Sequence, residues 1–127
     1  MLRLSLIVVA AMAALGGPVL AQPAGPPLNR EELLFCAAIH YTLMKLPERK
    51  DDAAGVDLDG KRVGFLLSKA EEQAKAQGVS SEGDKGSVAN TWLSLRDRVD
   101  KSPTPAARTG FIAELNSAAD ECMGRMR

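Results

Sequence analysis

The chain has 127 residues, with 16 basic and 16 acidic side chains, a single histidine and two cysteines. A balanced charge leaves no electrostatic footprint for nucleic acid or anionic lipid, so no nucleic-acid partner is expected. The length suits one small domain around one hydrophobic core.

The N-terminus reads as an export signal. Arg3 gives a positive start, Leu4 to Leu15 is apolar apart from Ser5, and Gly16-Gly17-Pro18 breaks the run before Val19-Leu20-Ala21. This order of charge, apolar run and small-residue site defines a secretory signal peptide over 1–21. The apolar run falls well short of the roughly 20 residues a spanning helix needs, so no stable membrane insertion is expected after cleavage. Cys36 lies too far from the cut for acylation there. A periplasmic or secreted location follows, with the periplasm preferred.

Residues 22–28 are rich in proline, alanine and glycine and read as a flexible leader. The helical domain is expected over 29–127. Its first helix opens on Asn29-Arg30-Glu31-Glu32, a capping box flanked by the Leu28 and Leu33 positions of a hydrophobic staple, and runs to about Leu46, where Pro47 stops it. Leu33, Cys36, Ala37, His40, Leu43 and Met44 form one stripe, and Phe35, Ile39, Thr42 and Leu46 widen it. A helix apolar over so much of its circumference belongs at the centre of the fold.

Glu48 to Gly60 is polar and reads as a surface connection. Asp57-Leu58-Asp59-Gly60 invites a calcium-loop reading, but that register puts Gly55 first and Leu66 twelfth, where acidic ligands are required. Asp59 is therefore expected to cap a second helix over about Gly60 to Gln77. Val63, Leu66, Leu67, Ala70 and Ala74 face inward on it, and Gly78 ends it. A third helix is expected from Ser80 or Ser81, with Val88, Trp92, Leu95 and Val99 on one face. Thr104 then caps the fourth, Pro105 takes its first position, and Phe111, Leu115, Ala118, Cys122 and Met126 share its stripe.

No period-2 alternation or internal repeat appears. The expected fold is all-α: a small antiparallel four-helix bundle with one disulfide, Cys36 to Cys122, linking the first and last helices. An oxidising compartment favours that bond, and the long loop it closes sets its maximal stabilisation at about 4 kcal/mol.

Candidate chemistry centres on His40. Cys36, His40 and Met44 are spaced four apart on one helical face, and His40, Tyr41 and Met44 are the candidate ligand-binding residues. Adding Cys122, Met123 and Met126 draws a soft set of the type that suits Cu(I), but a bridged sulfur is no thiolate ligand. No metal ligand set and no cofactor is therefore expected. No catalytic residues are expected either: the acid pairs Glu31-Glu32, Glu71-Glu72 and Asp120-Glu121 point about 100° apart, and there is no nucleophile elbow or haem-attachment motif.

Leu34-Phe35-Cys36-Ala37-Ala38, with a second cysteine near the end, resembles small secreted helical proteins of Gram-negative bacteria that carry a Leu-x-Cys-Ala-Ala stretch in their first helix. That resemblance implies no activity. Small helical acid-stress chaperones of the periplasm offer a fold-level analogy only. The leading expectation is a non-enzymatic exported protein with a binding surface, used on another envelope protein or as a stress-related holdase. A small-ligand or Cu(I)-binding protein is the alternative. If 1–21 is a cleaved signal, mass spectrometry of envelope-purified protein finds a chain beginning at Gln22, whereas a full-length membrane-embedded product overturns the assignment.

Overall fold

The computed structural model describes residues 26–126, so the expected signal at 1–21 and the expected leader before Pro26 lie outside the described residues. Four α-helices follow in order: α1 Arg30–Met44, α2 Ala53–Gln77, α3 Asp84–Asp100 and α4 Pro105–Gly124, with a 3-10 turn at Pro47–Arg49 between α1 and α2. No strand occurs among the described residues. None of these helices is long and apolar enough to cross a membrane.

α1 starts because Asn29 and Glu32 exchange bonds. The Glu32 N–H donates to Asn29 Oδ1 at 2.8 Å, and the Asn29 N–H donates to Glu32 Oε1 at 3.0 Å. Leu28 and Leu33 are both buried at this entry. Leu28 is also the last residue of the expected leader, and its carbonyl accepts from Gln73 of α2 at 2.9 Å.

α1 touches each of the other three helices. Its buried residues run almost continuously, from Leu33 and Leu34 through Cys36 to His40, then Thr42 and Leu43. Ala37 and Ala38, without bulk beyond Cβ, are fully enclosed and let neighbours approach closely. Each fully buried leucine or isoleucine here contributes roughly 2 kcal/mol of apolar transfer. The Thr42 hydroxyl, buried among them, donates to the Ala38 carbonyl at 2.7 Å.

The facing stripes are Leu66, Ala70 and Ala74 on α2, Val88, Leu95 and Val99 on α3, and Leu115, Ala119 and Cys122 on α4. Val63, Leu67, Phe111, Ala118 and Met126 pack at their margins.

The start of α2 differs from the sequence expectation. The helix begins at Ala53, capped by Asp52, whose side chain accepts from the Gly55 N–H at 3.1 Å. A Cβ at Gly55 would collide with the Asp52 carboxylate, so glycine is what lets the cap close. Asp59 is therefore no cap but an interior helical residue, 6% exposed. The polar stretch that read as a connection is the exposed first turns of a helix whose cap lies seven residues earlier. Gly78 ends α2 at φ 69°, as a left-handed C-cap should. α3 begins at Asp84, and Thr104 caps α4 by accepting from the Ala107 N–H at 3.0 Å.

Long-range polar contacts fasten the helix ends. Arg30 pairs with the buried Asp84 and donates to the Ser80 carbonyl at 3.1 Å, tying the α2–α3 connection to the start of α1. Arg125 bonds Glu32 at 3.1 Å and the Pro26 carbonyl at 3.0 Å. Arg108 grips both oxygens of Glu48, at 2.6 and 2.9 Å, and reaches the Val99 carbonyl at 3.3 Å. Those Arg108 bonds hold the Glu48 carboxyl below its ordinary value of 4.5. The stability they bring is present above that value and is lost as pH falls through the lowered one.

Cys36 and Cys122 form a disulfide between α1 and α4, their Cα atoms 6.0 Å apart and 86 positions apart in sequence. Replacing both by serine should lower Tm, at a cost of up to about 4 kcal/mol, while leaving a helical circular-dichroism spectrum. An unchanged Tm would show that packing alone holds α4 in place.

Candidate functional site

His40 lies on the enclosed side of α1, with 0% of its surface exposed. A buried imidazole needs partners, and α2 supplies one: His40 Nδ1 lies 2.8 Å from Asp59 Oδ1. The other Asp59 oxygen accepts from Arg49 Nη1 at 2.9 Å. Arg49 is itself fixed by Asp52 at 3.2 Å and by the Leu43 carbonyl at 3.5 Å. The 3-10 turn puts Arg49 where it can make all three contacts.

This network assigns the ring proton. A carboxylate engaged by a guanidinium is ionised and only accepts, so Nδ1 must donate to it. In the neutral ring, Nε2 then carries the lone pair. Nε2 is buried and has no hydrogen-bond partner in the protein. A carboxylate that fixes one ring nitrogen and leaves the other free is the arrangement by which proteins aim an imidazole at a ligand, a metal or a proton.

His40 borders a cleft of about 340 Å³ whose walls are the first half of α2 and the second half of α4. α2 contributes Leu58, Asp59 and Arg62, and α4 contributes Asn116 and Asp120. The Asn116 amide nitrogen donates to the Ile112 carbonyl at 3.1 Å, which leaves its oxygen available. Among the described residues, neither Arg62 nor Asp120 forms an ion pair.

The three residues expected at a ligand site do not share one. Tyr41 packs edge-on against Trp92 of α3, ring centroids 5.1 Å apart, with Lys45 over its other side at 5.4 Å. Met44 lines a separate depression near the start of α2, with Ala53 and Val56. Only His40 reaches the polar cleft. Both cysteine sulfurs of the soft set are joined in the disulfide. Among the described residues, no three His, Cys, Asp or Glu side chains come together as a metal-binding group.

Sequence reasoning missed Asp59, Arg49, Arg62, Asn116 and Asp120. Asp59 had a signal: it extends the inward stripe of Val63, Leu66 and Ala70 backwards by four residues, and an acid at such a position calls for a buried partner. Arg62, Asn116 and Asp120 had none, because their convergence depends on how α2 and α4 flank α1. Comparison of the chain with protein-family models, curated proteins and solved structures returns no match.

His40 is the sole histidine, so its ring nitrogens are resolved without ambiguity in a nitrogen-15 spectrum. The expected neutral form carries hydrogen on Nδ1, with Nε2 unprotonated; the opposite tautomer would contradict the Asp59 assignment. Asp59→Ala should destabilise the fold by about 3 kcal/mol or more, measured by denaturant unfolding, because it strands the buried imidazole and the Arg49 charge.

Proposed function

We propose that this is an exported, non-enzymatic helical protein that binds a small polar ligand in the cleft between α2 and α4, with the periplasm as its compartment. The observation that carries the reading is the His40 ring, held at Nδ1 by Asp59 while its buried Nε2 finds no partner beside a polar cleft. A ligand site needs a concave space and a few converging polar groups, whereas a client-binding surface needs contiguous exposed apolar area. The cleft supplies the first. Its lining side chains include no serine, threonine or cysteine beside His40, which favours binding over nucleophilic catalysis. The signal at 1–21 and the long-range disulfide support export to an oxidising compartment.

A second reading has its own observation. Phe35 is 50% exposed and borders a mainly apolar groove of about 330 Å³ beside the disulfide, with Leu28, Ile39 and Ala118. Such a groove suits an envelope partner or a holdase role. The two readings separate experimentally. Oxidised mature protein is titrated with a panel of amines, carboxylates, amino acids, sugars and Zn(II) or Cu(I), with the His40 ring resonances as readout. At least one member should shift them saturably, and His40→Gln should weaken its affinity. If none does, and acidification instead raises hydrophobic-dye binding and suppresses aggregation of an unrelated client, the surface reading takes its place.

A further inference from the structure

The free groups of the cleft form a complementary set. Arg49 and Asp59 are consumed by one another and by His40, and Asp52 is engaged by Arg49. What remains is one cation, Arg62 on α2, and one anion, Asp120 on α4, on opposite walls of the same cleft and unpaired among the described residues. Asn116 lies four residues before Asp120, so its free oxygen and the Asp120 carboxylate share one face of α4. Leu58, 47% exposed, adds an apolar contact four residues before Arg62 on α2.

Each simple ligand class meets a mismatch in this set. A lone anion suited to Arg62 would face Asp120, and a lone amine suited to Asp120 and Asn116 would face Arg62. A molecule with both charges satisfies both walls: the Arg62 fork takes a carboxylate, while Asp120 and Asn116 take an ammonium. A volume of about 340 Å³ is at the small end of ligand pockets.

We infer that the cleft between α2 and α4 is a receptor for a zwitterionic α-amino acid with a short apolar side chain, its carboxylate on Arg62, its ammonium on Asp120 and Asn116, and its side chain against Leu58. This rests on the small-ligand reading above and names the ligand class.

The test titrates oxidised mature protein with L-valine, isobutylamine and isobutyrate, followed by calorimetry and by the His40 ring and Asn116 amide resonances. L-valine should bind at one per chain and shift both residues, and each single-charge analogue should bind at least about tenfold more weakly, the loss expected for one charge-assisted contact. Arg62→Gln and Asp120→Asn change only surface-accessible charge, so each should keep the wild-type circular dichroism and weaken L-valine by a similar factor. Equal binding of L-valine and isobutylamine would overturn the inference, as would L-valine binding indifferent to both substitutions. Silence toward L-valine while another panel member shifts His40 removes the amino-acid assignment and leaves the ligand site standing. Silence toward every member removes both.

Discussion

The enclosure of α1 is the constraint on which the remaining structure depends. A helix buried over most of its circumference has no solvent to satisfy the polar groups it carries, so each must find a partner in the neighbouring helices. Thr42 solves this locally by bonding back to Ala38. His40 finds its partner instead on α2, as Asp59. An acid brought into the interior to meet a histidine then needs a countercharge of its own, and Arg49 supplies it from the connecting turn. One buried imidazole thus dictates the placement of two charged residues on two other segments.

That chain of requirements also explains the connection between α1 and α2. Pro47 ends any helical continuation and opens the 3-10 turn, which carries Arg49 towards Asp59. Asp52 does two jobs there, capping α2 through the Gly55 N–H and holding Arg49 Nε. Gly55 is required because a side chain would enter the space where the Asp52 carboxylate and the Arg49 guanidinium meet. A segment that looks like a solvated linker by composition is in fact a set of polar contacts serving a buried site.

Local signals in the sequence were legible where the governing interaction is itself local. The Asn29 and Glu32 box, the left-handed Gly78, and the Thr104 and Pro105 start act within a few residues and appear where the spacing predicts, whereas the apolar stripes do so only in part: Phe35 is half exposed, and Ala119 rather than Ala118 is the buried alanine of α4. The Cys36–Cys122 bond was legible for a different reason: with two cysteines and an expected oxidising compartment, one intramolecular pairing is left. Asp59 was misread because its role is tertiary. Read locally, an aspartate before glycine in a polar stretch is a cap; only the nearby His40 ring makes it a buried partner. Met44 and Tyr41 show the converse limit, since adjacency to His40 along α1 did not carry them into the same cleft. On a helix four residues separate His40 from Met44 by a full turn, and Tyr41 turns away by about 100° towards α3.

The disulfide has a place in this arrangement beyond general stability. Cys36 precedes His40 by one turn of α1, and Cys122 follows Asp120 by two residues of α4. The covalent link joins the two helices that carry the floor of the cleft and one of its walls. The opposite wall is held differently, through the Asp59 bond to His40. Floor and walls are thus referenced to the same short stretch of α1, one by a covalent bond and one by a charge-assisted hydrogen bond. A site built on helices and tied at both walls holds its polar groups in place, which is the preorganisation that the proposed small-ligand binding requires.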